Sequence, residues 1–265
     1  MQKEEVFSTM ESQKGKLVET FYHAYSQNQT IPNEEVPEEI DKSEAYTIQH
    51  KVNYMKSQYH DDKLIGYKIS LTSKETQDMF NSSTPLYGSL TNSNLTRGSI
   101  QLDNLHAPLI EIELMFIANE HLTKEDDYAS ILQKMSIAPG LEIPDSRFTD
   151  WFPNLSFGKV IADSAVAGKI IVGESVDGLT YEQLGNINAN LKLDGETIAE
   201  GPSSEVLDNP VHAVKWLLDE LAENDRIIEK GMVISSGTFI LPKELVKGKY
   251  EATFEDVGNV SIVVE

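Results

Sequence analysis

Residues 108–118 read PLIEIELMFIA, an apolar run long enough for a buried strand but interrupted at Glu111 and Glu113. In a strand, residues two apart point to the same face. The two carboxylates therefore project side by side, while Ile110, Ile112 and Leu114 pack on the opposite face. Adjacent carboxylates repel, and burying them without a counter-charge is costly. Any fold built around this strand must leave the acidic face in water or supply a cation. Taken alone, the pattern fits the polar face of a half-buried strand.

A second apolar run shifts the balance. Residues 137–143 read IAPGLEI, with Glu142 as the single charge, followed by Pro144, Asp145, Ser146 and Arg147. Three isolated glutamates on two apolar strands make an oxygen-rich set, suited to Mg²⁺ or Mn²⁺ and not to a soft metal. Three such ligands leave about three octahedral positions for water or substrate. A third strand candidate, residues 66–72 (GYKISLT), has Lys68 as its one charge. Its ammonium either lies along the surface with its head in water or faces the site as an anion partner or proton donor.

The remaining pattern predicts short strands at 64–70, 166–173, 187–193, 196–200, 231–236, 250–255 and 259–264. Asp194-Gly195 is a hairpin turn between two of them, and a second turn is expected around Gly258. Helices are expected at 73–81, 125–135, 154–163 and 209–223, the last with Pro210 in its first turn. Residues 1–60 differ. Val6, Met10, Leu17, Phe21 and Tyr25 recur at helical spacing, and a second helical stretch covers about 41–59, beyond Pro32 and Pro37. The expectation is an α+β protein, with a helical N-terminal segment (1–60) packed on a mainly antiparallel, mixed β core (61–265) that carries helices outside it.

Composition narrows the function classes. The chain has 265 residues and no cysteine, which removes thiolate metal sites, disulfides and a cysteine nucleophile. Its net charge is −21, from 22 basic and 43 acidic residues, a surface that repels nucleic acid and anionic membranes. The opening MQKEEVFSTM reads as neither a signal nor a transit peptide, and no apolar run spans a membrane. A cytoplasmic location is the expectation. No G-x-S-x-G elbow supports a serine hydrolase.

Seven segments, in order, resemble one family. They are GYKISLT (66–72), PLYGSL (85–90), PLIEIEL (108–114), LEIPDSRFTDW (141–151), IADSAVAGKIIVG (161–173), GPSSEVLDNPVHAVKWL (201–217) and KGMVISSGT (230–238). The chain is similar to the 2-hydroxypentadienoate (2-keto-4-pentenoate) hydratase and 4-oxalocrotonate decarboxylase family, within the fumarylacetoacetate hydrolase superfamily. The resemblance implies a twisted, largely antiparallel β-roll with outer helices and a homo-oligomeric assembly. It implies a metal on Glu111, Glu113 and Glu142, with Lys68 in the active site. It also implies a lyase for a small unsaturated 2-hydroxy or 2-oxo acid, hydrating 2-hydroxypenta-2,4-dienoate to 4-hydroxy-2-oxopentanoate, with 4-oxalocrotonate-type decarboxylation as the alternative.

One departure bears on that choice. Many hydratases of the family carry an acidic residue at the position of Leu86, and the apolar residue here is closer to the decarboxylases. His106 and Asp163 are the possible replacements. Substrate contacts are expected from Leu86, from Ser204 (a capping residue on the plainer reading) and from Thr238, whose hydroxyl suits a substrate carboxylate. Asp145 and Arg147 read as an ion pair, and His212 as a structural histidine. Two other readings stay open: an acylpyruvate C–C hydrolase, for which His60 and His106 are candidate bases, and a catalytically silent ligand-binding oligomer.

Overall fold

The computed structural model describes residues 13–265. Val6 and Met10, the first two positions of the expected helical spacing, lie outside the described residues. Among the described residues the expected helical segment comprises α1 (Gln13–Gln27) and α2 (Lys42–His60). Asp41 caps α2 by accepting from the Ser43 N–H at 3.0 Å, and Asp61, at φ 51°, ends it in the left-handed region. The Phe21 ring meets Phe148 edge-on at 5.7 Å, one of the contacts that lay α1 onto the rest.

The strands form two sheets. The larger has the order β2 (Leu86–Thr91), β1 (Leu64–Ser70), β8 (Val233–Thr238), β3 (Leu109–Ala118), β4 (Met135–Ile143), β5 (Lys169–Val172), with the short β9 (Lys243–Glu244) also on β3. The smaller has the order β11 (Gly258–Val264), β10 (Gly248–Phe254), β6 (Asn188–Leu193), β7 (Glu196–Pro202). Every strand pair among the described residues is antiparallel except β1 with β8. Helices α3 (Lys74–Met79), α4 (Tyr128–Lys134), α5 (Phe157–Ala162), α6 (Tyr181–Leu184) and α7 (Pro210–Ala222) complete the mixed α+β architecture. None of the described helices is long and apolar enough to cross a membrane.

The expected elements agree with this closely where periodicity or turn chemistry is strong. Asp194 (φ 49°) and Gly195 (φ 87°) make the tight β6–β7 turn, and Asn209 caps α7, with Pro210 at its first position. The C-terminal turn falls at residues 255–257, just before Gly258, with Asp256 at φ 60°. The strand expected at 166–173 is shorter, because Ser164, Ala165 and Val166 all lie at φ 51–52° and cannot join a ladder. Strand β2 has no counterpart among the expected elements. All six of its residues are buried, so it shows no alternation. Gly88 sits at its middle because a Cβ there would lie 1.9 Å from the Ser164 carbonyl oxygen.

Strand β3 is the axis of the larger sheet. Ile110, Ile112, Leu114 and Phe116 enter the main core from one face, all fully buried. The other face carries Glu111 and Glu113, then Met115, which joins a small cluster with Leu90, Ala138, Ala167 and Ile170. Both faces of this strand are thus shielded from water, and the half-exposed alternative does not apply to Glu111 and Glu113.

Candidate metal centre

Register brings the acidic side chains together. Glu111 faces Glu142 directly across the β3–β4 ladder, and Glu113 follows two residues along on the same face. One carboxylate oxygen from each of the three lies within 4.8 Å of the others. All three are at least nine-tenths buried. On the far side of the same sheet face, β1 delivers Lys68, whose Nζ donates to Glu142 Oε1 at 2.6 Å. Strand β8, between β1 and β3, delivers Ser235. Its hydroxyl bonds Glu113 Oε2, which also accepts from the Gly237 N–H at 2.9 Å.

The electrostatics of this cluster are unbalanced. Burial, then the charge of Glu142, pushes the Glu111 carboxyl well above the usual carboxylate range. The same causes push Glu113 up to about 8, although Ser235, Lys68 and Gly237 pull it down. With all three carboxylates ionised, one ammonium would leave a formal charge of −2 in a site from which water is nearly excluded. Glu142 Oε2 is buried with no hydrogen-bond donor. Hard oxygen donors, a deficit of two positive charges and an unpartnered carboxylate oxygen together fit a hard divalent cation.

The cluster opens into a small cavity of about 60 Å³, whose lining includes Lys68, Glu111 and Glu113 together with Ser70, Thr72, Thr76 and Thr238. Its remaining wall is apolar: Leu71, Phe80, Trp151, Phe152, Val160, Val166 and Pro242 among others. Two wall residues, Leu71 (φ 58°) and Val166 (φ 51°), hold left-handed backbone. Such conformations cost on the order of 1–3 kcal/mol each and persist where surrounding structure enforces them. Here the Asp145 N–H donates to the Val166 carbonyl at 2.8 Å.

Of the residues singled out from sequence, Lys68, Glu111, Glu113, Glu142 and Thr238 meet at one place. Leu86 is fully buried in the core and outside the cavity lining, and Ser204 is exposed and likewise outside it. Arg147 pairs with Asp163 (Nε to Oδ1, 2.9 Å), whereas the Asp145 carboxylate accepts from the backbone N–H groups of His106 and Ala107. Asp163 is thereby committed, and His106 lines a separate groove. His212 is structural, bonded between the Leu207 carbonyl and the Tyr181 hydroxyl. Sequence reasoning did not find Phe80, Trp151 or Phe152 as wall residues, since loop aromatics carry no periodicity that would point to a pocket. Ser235 had a usable signal, a hydroxyl in a buried strand end.

No family model matches the chain. A 2-keto-4-pentenoate hydratase of Paraburkholderia phymatum is 30% identical over 245 residues, which cover 89% of this chain and 92% of the relative. A 4-oxalocrotonate decarboxylase of Pseudomonas putida is 26% identical, covering 84% of this chain and 85% of that one. Among solved structures, a P. putida 4-oxalocrotonate decarboxylase complexed with magnesium and adipate superposes with a TM-score of 0.85 at 22% identity. That match covers 100% of this chain and 99% of the other.

Proposed function

The chain belongs to the 2-keto-4-pentenoate hydratase and 4-oxalocrotonate decarboxylase family of the fumarylacetoacetate hydrolase superfamily. On that premise we propose that it is a divalent-metal-dependent lyase for small unsaturated 2-hydroxy or 2-oxo acids. The reaction is hydration of 2-hydroxypenta-2,4-dienoate to 4-hydroxy-2-oxopentanoate. The observation that carries this reading is the convergence of three buried glutamates with a buried lysine on one sheet face.

Glu111, Glu113 and Glu142 would hold Mg²⁺ or Mn²⁺. When bound, the cation supplies positive charge that stabilises the anion formed as a conjugated 2-oxo acid gains or loses a proton. The chain's own groups do the rest. Ser235 and the Gly237 N–H fix the direction of the Glu113 carboxylate. Lys68 offers N–H donors beside the carboxylates, to a substrate carboxylate or to the carbon skeleton as a proton source. The apolar wall keeps bulk water from the bound acid, so only water admitted to the pocket adds, at the distal carbon of the enone that the dienol becomes on protonation. The same reading takes the enzyme to be a cytoplasmic homo-oligomer.

Decarboxylation of a 4-oxalocrotonate-type acid is the second reading, favoured by the apolar Leu86 at a position where hydratases of the family often carry an acid. It uses the same electron sink, with CO₂ leaving in place of water adding. Acylpyruvate hydrolysis lacks its base: the described residues lining the cavity include no histidine, and His60 and His106 line other surfaces.

Pure protein with Mg²⁺ is expected to consume 2-hydroxypenta-2,4-dienoate, followed by loss of its ultraviolet absorbance. CO₂ release from 2-oxohex-3-enedioate without that hydration would establish the second reading. Calorimetric titration with Mn²⁺ is expected to show affinity more than about 100-fold weaker in Glu111→Ala and Glu142→Ala, beyond the usual loss for an outer residue. Full affinity in both variants would remove the metal centre from this site.

A further inference from the structure

Between β4 and β5 the chain makes a turn of the disfavoured hand. Ser164, Ala165 and Val166 hold φ of 51°, 52° and 51° in succession. For L-residues such a conformation costs free energy at every position, and a β-branched residue such as Val166 seldom adopts it. Within the turn, the Val166 N–H donates to the Asp163 carbonyl at 2.9 Å and the Ala167 N–H to the Ser164 carbonyl at 3.1 Å. A right-handed turn would make bonds of the same i to i+3 kind, so what enforces the left hand lies outside the turn.

On one side stands Gly88. A Cβ there would lie 1.9 Å from the Ser164 carbonyl oxygen and 2.8 Å from the Ala165 Cβ, so the turn fills the space that a side chain at position 88 would take. Gly88 is the direct partner of Lys68 in the β1–β2 ladder, and side chains of direct partners share one face of a sheet. The turn therefore packs beside Lys68, on the face that carries the three glutamates. Ala165 and Val166 line the cavity together with Lys68.

On the other side stands Arg147. Its Nε donates to Asp163 Oδ1 at 2.9 Å, and its Nη2 donates to the Ala167 carbonyl at 2.9 Å and to the Asp145 carbonyl. One planar fork thus grips the residues just before and just after the left-handed run, and ties both to the stretch that follows Glu142. Asp163 Oδ2 accepts from the Ser146 hydroxyl and the Arg147 N–H, both at 2.9 Å, so the carboxylate is held on both oxygens. Arg147, Asp163 and Asp145 are all outside the cavity lining, and any effect they have on a reaction passes through the turn.

From this geometry we propose that Arg147 is a positioning residue, which clamps the left-handed turn against Gly88 and so fixes the wall beside Lys68. The inference rests on the reading of Lys68 and the three glutamates as a lyase centre. Without the fork, Asp163 is a buried carboxylate with no cation, and the turn is released toward a right-handed form that no longer supports Lys68.

Arg147→Lys, which keeps the charge but not the fork, and Arg147→Ala test the clamp in the Mg²⁺-loaded protein, well below its unfolding temperature. In both, kcat for 2-hydroxypenta-2,4-dienoate is expected to fall more than about tenfold and KM to change less, since a small misplacement at a reacting centre costs up to about 100-fold. Mn²⁺ affinity by calorimetry is expected to stay within about threefold, short of the tenfold or greater loss usual when a group that orients a metal ligand is removed. Arg147 also lines an open groove of about 540 Å³, so a guanidinium ion can reach the vacated place. Millimolar guanidinium chloride is expected to raise kcat of Arg147→Ala severalfold, with NaCl of equal ionic strength as control. Unchanged kcat in the variants, Mn²⁺ affinity falling in step with kcat, or no recovery with guanidinium would each overturn the clamp and leave the lyase reading standing. Where Arg147→Ala does not fold, Arg147→Lys decides on kcat and Mn²⁺ affinity. No turnover by the unaltered protein would remove the lyase reading and the proposal with it.

Discussion

Glu113 shows how much of the candidate site depends on a neighbouring strand. Its Oε2 is held by the Ser235 hydroxyl and the Gly237 N–H, both from β8, so its direction is set by the neighbouring strand. Ser235→Ala removes one of these bonds from a fully buried position without changing charge. The expected outcome is Mn²⁺ affinity about tenfold weaker, the range usual for loss of a partner that orients a ligand, with thermal unfolding nearly unchanged. Unaltered affinity would show that Gly237 alone orients the carboxylate. His50 lies away from the site and makes a separate case. Burial, then the charge of Arg226, pushes its imidazole down to about 3. Its ring runs nearly parallel to those of Tyr46 and Tyr87, and Nε2 lies 3.1 Å from the Tyr87 hydroxyl. The folded pKa lies below the unfolded value of about 6.5, so the unfolded chain takes up a proton first as pH falls. The stability from neutral His50 is therefore present above about pH 6.5 and is lost progressively toward pH 3. His50→Gln is expected to flatten the fall in unfolding free energy between pH 7.5 and pH 5 by about 1–2 kcal/mol. Parallel profiles for the two proteins would mean that His50 titrates normally. The four charged residues of the site were legible because they are the only charges in three apolar runs, whereas His50 and Ser235 depend on neighbours distant in sequence.

Among the elements, β2 explains why some of the fold could not be read. It is an edge strand, and an edge leaves backbone groups without ladder partners. Here α2 supplies them from side chains. Gln49 Nε2 donates to the carbonyls of Tyr87 and Ile161 at 3.2 and 2.7 Å, and Gln49 Oε1 accepts from the Ser89 N–H and hydroxyl at 3.1 and 2.8 Å. The Tyr46 hydroxyl accepts from the Tyr87 N–H at 3.1 Å. No local pattern in residues 85–90 announces a strand whose outer edge is completed by a helix nearly forty positions earlier. Strands β3, β4, β6 and β10 were legible because alternation or an apolar run coincides with turn residues at their ends. Gln49 is fully buried, so Gln49→Leu keeps the volume but leaves several buried polar groups without partners. Each such group costs about 1–3 kcal/mol, and the expected loss in urea unfolding is about 3 kcal/mol or more. A loss below about 1 kcal/mol would show that the edge of β2 is satisfied in some other way.

For the whole molecule, a net charge of −21 sets two ligands of opposite sign against one field. On the proposed reading, a divalent cation is drawn in from a distance, while a 2-oxo acid is repelled until it reaches the cation that the three glutamates would hold. Both long-range effects weaken with ionic strength, since the Debye length falls from about 30 Å at 0.01 M salt to about 8 Å at 0.15 M. Raising NaCl over that range is therefore expected to weaken Mn²⁺ affinity while lowering KM for the anionic substrate at saturating metal. A change of a few-fold in each is the scale expected for screened surface charge. Enzymes that steer anions with a basic surface show the reverse slope for substrate. The buried pair of Lys68 and Glu142 is shielded from salt, so kcat is expected to vary less than KM. Stopped-flow absorbance at fixed saturating Mg²⁺ and calorimetry with Mn²⁺ measure the two slopes separately. Slopes of the same sign would mean that substrate approaches through a local positive region of the surface, and that net charge does not govern its encounter.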